Sequence, residues 1–360
     1  MTKTKVRKTQ TAGKATAKKQ TKGVKIRFGS LPAARAPTQP FGTTELRPKI
    51  NYTPWLLIRD ADGDTGARPL PTGTVFWESP DVWVENNNGV NQPIVGQPNQ
   101  VYARVTNLGW QYATGVTVKF WWADPSLAIT ENNATLIGTG FANIPSGWSV
   151  VVQCPYPWVP TKVNGGHECL IAEAYIPVFD PLVAPMDPVD DRHVGQKNEQ
   201  VLTLASGESF TAKIKAMNVI GIPAALTLEV QPVRSTAVHP LLKSRTLHLS
   251  SHLQAPSSVL PLSLRFSNAP AVYTKPSTLF ASRLLSLAKQ EVAGKAADTI
   301  SHTEVTHTAQ FEPWESRMVE VSGRVPSNAK VGQSYAFRVV QRIGRMITGG
   351  YTVNVVVVKQ

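Results

Sequence analysis

Between Ser79 and Gln200 hydrophobic and polar positions alternate in short runs separated by turn residues. Val101, Ala103 and Val105 alternate with Tyr102, Arg104 and Thr106. Val116, Val118, Phe120 and Trp122 alternate with Thr117, Lys119 and Trp121. A period of two marks strands that bury one face, and Asn107-Leu108-Gly109 supplies the turn between these two. Residues 148–153 and 169–175 predict two further strands, parted by Pro155, Pro157, Pro160 and the turn signal Asn164-Gly165-Gly166. Val75 to Trp77 and Val82 to Val84 open the series, with Trp77 and Trp83 expected as packing residues.

The same alternation returns downstream. Phe210, Ala212, Ile214 and Ala216 predict a strand, and Leu226, Leu228 and Val230 another after the Ile220-Gly221-Ile222-Pro223 turn. The pattern then breaks from about 232 to 302, where Pro and Ser clusters flank one helical spacing, residues 277–297, with Ser277 placed to cap it. Val319 and Val321, then Tyr335, Phe337 and Val339, then Tyr351, Val353, Val355 and Val357 predict three closing strands, the last two joined through Gly344 and Gly349-Gly350. The valines of Val355–Val358 face both ways, so this strand is expected between two neighbours.

The order SPDVWVENN, GQPNQVYARVTNLG, ATGVTVKFWWADPS, LIGTG, CPYPWVP, GGHECLIAEAY and DRHVGQKN, over about residues 76–202, resembles an immunoglobulin-like module of the CARDB type found in bacterial proteins. That resemblance implies a seven-stranded sandwich used for adhesion or interaction, and no active site. The expected architecture is all-β: two tandem immunoglobulin-like antiparallel β-sandwiches with a disordered basic N-terminal arm and a helical insertion in the second domain. The expected divisions are an arm at 1–49, a first sandwich with its lead-in at 50–202, and a second at 203–360 with the insertion at about 232–302.

Charge changes the picture at one end only. Residues 1–49 hold thirteen Lys and Arg against a single acid, Glu45, so they carry +12 of the net +13. Their Thr, Ala, Gln and Gly are too polar and small to offset ordering entropy, and the first 40 or so are expected to be disordered in isolation. Lys3, Lys5, Arg7, Lys8, Lys14, Lys18, Lys19, Lys22, Lys25 and Arg27 form a candidate polyanion-binding set: such cations neutralise phosphates and release counterions without reading sequence. A solubilising tail, or a contact with an acidic partner, is the plainer reading. The basic stretch leads into no apolar run of secretory type, and Val355–Val358 is too short to cross a bilayer. A cytoplasmic protein without a membrane span is therefore expected.

Candidate chemistry is sparse. Asp60-Ala61-Asp62-Gly63-Asp64 opens like a calcium loop, but its twelfth position is Pro71 where a bidentate Glu is needed. Asp180, Asp187, Asp190, Asp191 and His193 gather among prolines, either as oxygen ligands for a hard cation or as turn caps, and the caps are the more ordinary use. Cys154 and Cys169 lack a CxxC partner and are expected as buried reduced thiols, although their spacing leaves a disulfide open. His167 is the one cation near enough in sequence to activate either. No nucleophile elbow, Walker or dinucleotide fingerprint is present, so no enzyme, metal or cofactor is expected. Trp121 and Trp122 point to opposite faces of their strand, so one is surplus to the core, and both are candidate interaction-surface residues.

Three functions follow as expectations. The first is a non-enzymatic structural or interaction protein, making protein or self-assembly contacts while its arm meets an anionic partner. The second is a nucleic-acid-binding or packaging protein of capsid-like plan. The third is an adhesion or carbohydrate-binding module.

Overall fold

The computed structural model describes residues 53–86, 89–90, 93–123, 126–160, 169–233, 260–267, 270–273 and 305–359. The ten arm cations, His167 and the helical spacing at 277–297 lie outside these residues. The described chain is all-β. Its strands are β1 (Leu56–Leu57), β2 (Val82–Asn86), β3 (Gly89–Val90), β4 (Gln100–Asn107), β5 (Ala113–Ala123), β6 (Ala134–Ile144), β7 (Ser149–Gln153), β8 (Cys169–Tyr175) and β9 (Val194–Lys197). They continue as β10 (Glu199–Leu204), β11 (Ser209–Met217), β12 (Ala224–Val233), β13 (Leu262–Phe266), β14 (Val272–Tyr273), β15 (Val305–Phe311), β16 (Glu315–Arg324), β17 (Ser334–Ile343) and β18 (Met346–Val357). No helix among the described residues is long and apolar enough to cross a membrane.

Four sheets form two β-sandwich-like pairs. In the first pair, β4 is flanked by β7 on one side and by β1 and β2 on the other, with β3 beyond β2; the facing sheet runs β6-β5-β8-β9. The alternation read from the sequence is what fills the space between them. Val101, Ala103 and Val105 from β4 meet Val116, Val118 and Phe120 from β5, all fully buried, with Leu170, Ala172 and Trp158. Burying such side chains is worth about 1.5–3 kcal/mol each before entropy is counted.

In the second pair the sheets run β10-β18-β17-β12-β15 and β11-β16-β13, with β14 beside β16. Phe210, Ile214, Phe337 and Val353 all point into the shared core, and Phe210 stacks on Phe337 at 6.0 Å. β18 lies between β17, antiparallel, and β10, parallel. The valine run of this strand thus has a neighbour on both sides, as its two-faced hydrophobicity requires. Two features differ from the expectation. Leu262–Phe266 and Val272–Tyr273, inside the stretch where the pattern breaks, pair with β16 and extend its sheet. Gly349-Gly350 is not a turn: the chain reverses at Gly344, and both glycines lie within β18.

Those two glycines bring the sandwiches together. A Cβ on Gly349 would sit 1.0 Å from the Leu127 carbonyl oxygen, and one on Gly350 would enter the Trp77 ring at 2.1 Å. Trp77 is fully buried, and its indole N–H donates to Thr352 Oγ1 at 3.0 Å. Asn198, also buried, donates through Nδ2 to the carbonyls of Ser126 and Gly350 and accepts from Cys169 Sγ at 2.8 Å. Arg338 forks onto Glu78 at 2.7 and 2.9 Å. Within the second sandwich, Gln341 of β17 bonds both the N–H and the carbonyl of Met217 at the end of β11 at 2.9 Å. Every one of these contacts is formed by residues far apart in the chain.

Candidate functional site

Three neighbouring features of the first sandwich bear on function: the outer face of the β6-β5-β8-β9 sheet, the loop 176–193 packed on it, and a cleft at the junction. On the sheet face the two tryptophans part company as their positions dictate. Trp122 packs against the core between the sheets. Trp121 turns outward, half-buried, onto Ile129, Ile171 and Met186, so that it helps cover a second apolar cluster beneath the loop. Its indole donates to Glu173 Oε2 at 3.0 Å, while Glu173 Oε1 accepts the Met186 N–H at 3.0 Å. Burial lifts the Glu173 carboxyl above its usual range, against the pull of those two donors and of Lys119. Lys119 Nζ lies 5.7 Å above the Trp121 ring and 5.6 Å above Tyr175.

The loop's acidic residues serve its own backbone. Asp191 accepts the N–H groups of Val183, Ala184 and His193. Asp187 Oδ1 accepts those of Val189 and Asp190. His193, fully buried, lies between Asp191 Oδ1 (2.5 Å) and Asp180 Oδ2 (3.1 Å). Burial works to lower the imidazole pKa, but the adjacent carboxylates of Asp180 and Asp191 outweigh it and leave it raised. Asp180 also accepts the Leu56 N–H and the Arg192 guanidinium, and Arg192 stacks 4.5 Å from the Trp55 ring. This set therefore fastens the lead-in strand to the loop. No group of His, Cys, Asp and Glu arranged to hold a metal ion occurs among the described residues.

The calcium-like loop is closed internally in the same way. Asp64 accepts the N–H groups of Asp60 and Gly66, and Arg68 bridges Asp60 at 2.8 Å and Asp64 at 3.0 Å. Burial raises the Asp60 carboxyl well above its ordinary value even with Arg68 beside it. Cys154 and Cys169 are both buried thiols not joined in a disulfide, and burial pushes the Cys154 thiol up, which makes it less nucleophilic.

Between the 69–76 segment, residues 127–129, residues 186–190 and the β17–β18 hairpin lies a cleft of about 530 Å³. Leu70, Phe76, Ile129, Met186, Val189 and Ile347 give it apolar walls, and Asp187, Asp190, Gln196 and Arg345 bring polar atoms to it. Asp187 is only 7% exposed and Gln196 3%. The carboxyl of Asp187 is raised to about 7, first by burial and then by the charges of Asp190 and Asp191. Sequence reasoning gave no hint of this cleft, because its walls come from four separate stretches. The raised carboxyl at its edge is the signal that marks it.

No protein-family model and no curated protein matches the chain. Among solved structures it is similar to a family 123 glycoside hydrolase from Clostridium perfringens, at 10% identity over 46% of this chain and 23% of that one, with a TM-score of 0.25. It is similar to red sea bream transglutaminase at 12% identity over 78% of this chain and 31% of that one, TM-score 0.18. It is also similar to the CupB6 tip adhesin of Pseudomonas aeruginosa, at 8% identity over 77% of this chain and 99% of that one, TM-score 0.20. The chain thus spans less than a third of the length of the first two. Likenesses this slight carry no argument about activity.

Proposed function

We propose that this protein is a non-enzymatic interaction or assembly protein built from two immunoglobulin-like sandwiches, the first of the CARDB type and carrying the contact surface. The observation behind this reading is where apolar surface is left in water. Of the fifteen large hydrophobic side chains exposed among the described residues, twelve belong to the first sandwich, including Leu136, Phe141, Trp148, Val151, Tyr156, Val178 and Phe179. Residues 132–161, which carry five of these seven, contain no charged residue at all. An uncharged, aromatic-rich exposed surface is what a protein contact uses and what an isolated monomer ordinarily keeps small.

β6 adds to this reading, since among the described residues it is an edge strand that pairs only with β5, and it holds neither Lys nor Pro, the residues that usually blunt an edge. Sedimentation velocity of the full chain over a hundredfold concentration range tests the idea. Concentration-dependent association that Phe141→Asp abolishes is the expected result. A monomer throughout, unchanged by the substitution, removes self-assembly through this surface.

The charge on residues 1–49 favours a second reading, in which the arm engages nucleic acid or another polyanion while the sandwiches associate. In that case the protein is of packaging type.

A further inference from the structure

We infer that the cleft between the sandwiches is a binding site for a small organic cation with an apolar body, and that Asp187 is its counter-charge. The inference starts from an imbalance. Most buried carboxylates of this region have a cation at hand: Asp81 has Arg59, Asp60 and Asp64 share Arg68, and Asp180 and Asp191 share Arg192 or His193. Asp187 forms no ion pair among the described residues. Its Oδ1 is satisfied by two backbone N–H groups, whereas its Oδ2 has no hydrogen-bond partner among them. A carboxylate in that condition either keeps its proton or acquires a cation.

The position of Asp187 decides between those two fates, because its side chain is part of the wall of a cavity large enough for a ligand. Around it the charges facing this position are mostly negative: Asp190 and Asp191 on its own loop and Asp60 on the lead-in, the last offset by Arg68. Arg345, on the hairpin between β17 and β18, also lines the cleft but is itself exposed to solvent. A ligand ammonium at Oδ2 supplies the missing charge, and Phe76, Ile129, Met186 and Ile347 enclose its apolar part. Gln196 supports the assignment independently. It lines the same cavity and its buried Nε2 has no hydrogen-bond partner, a donor that a rotation of the side chain would offer to an acceptor on the ligand. The inference does not depend on the apolar contact surface of the first sandwich.

Titration calorimetry of the full chain with tyramine, and with tyrosol as the neutral compound of the same body, tests this. Tyramine should bind saturably and at least about tenfold more tightly than tyrosol, and Asp187→Asn should erase the difference while keeping the Oδ1 acceptor. With wild-type protein alone, tyramine affinity should fall about tenfold per pH unit below about 7, as the carboxyl takes up its proton. No saturable tyramine binding, equal affinity for the two compounds, or a pH-independent affinity each overturns the proposal. The pH series needs no variant, so a poorly folding Asp187→Asn does not shelter it. A monomeric protein that still binds tyramine would separate this site from the assembly reading.

Discussion

At the scale of single residues, Asp187 makes the clearest statement about pH. An aspartate in the unfolded chain titrates near 3.8, whereas in the fold this carboxyl holds its proton to about 7. Between those values the folded state binds more protons than the unfolded one, so this group's contribution lowers stability as pH rises. The penalty is absent below the lower value and complete above the upper. Its full size is about 4 kcal/mol at most, one pKa unit being about 1.4. Asp191 and Glu315, whose carboxyls are held low by His193 and Arg317, contribute in the opposite sense, losing stability as pH falls. The informative quantity is therefore a difference between variants. Denaturant unfolding of Asp187→Asn should match wild type near pH 4 and exceed it by up to about 4 kcal/mol near pH 8. A constant difference across that range would mean that the carboxyl does not titrate where its burial places it.

At the scale of elements, the strands with a strict period of two were legible, and those shaped by their neighbours were not. β4, β5 and β11 can be drawn from the alternation alone, because one face of each meets a core and the other is more exposed, whereas β8 and β17 are buried on both faces. β6 cannot be drawn so. Its Gly138 and Gly140 interrupt any alternation of apolar side chains, and they are small because Cys154 Sγ and Val152 Cγ1 would lie 3.0 and 2.9 Å from an added Cβ. The same logic hid the role of Gly349 and Gly350, which look like a hairpin turn and are instead the place where the junction closes. An alanine at Gly350 must displace the buried ring of Trp77. Gly350→Ala should cost about 3 kcal/mol or more, at the top of the range for overpacking, and should also disturb Trp77 fluorescence. A loss below about 1 kcal/mol would show that the junction can open without cost to either sandwich. The Asp-rich loop was half legible: carboxylates that cap turns were expected, but the contacts of Asp180 with the Leu56 N–H, Arg192 and His193 join parts of the chain that no local pattern connects.

At the scale of the whole molecule, charge and apolar surface are kept on different parts of the sequence. The body is close to neutral, while residues 1–49 are strongly basic. If residues such as Lys3, Lys5, Arg7 and Lys8 bind nucleic acid through phosphates, affinity should be alike for unrelated sequences and should fall linearly on a log–log plot against salt. The slope should be about −0.7 to −0.9 per phosphate neutralised. Replacing those four by Gln should flatten the slope by about 3 to 4 units if all make contact. The absence of any binding to DNA or RNA at about 50 mM salt would leave the arm without a nucleic-acid role.

The parallel pairing of β10 with β18 also has a consequence for how the protein is made. Among the described residues β10 pairs in the sheet with β18 alone, and Gln200 meets Tyr351 at a separation of 151 positions. During synthesis the strand that follows the first sandwich must therefore wait, unpaired, until nearly all of the second has left the ribosome. Contacts of such long sequence separation form slowly, and an unpaired strand edge is what incomplete chains aggregate through. Nascent chains arrested shortly before β18 should on this account demand chaperone protection out of proportion to the amount of sequence they lack.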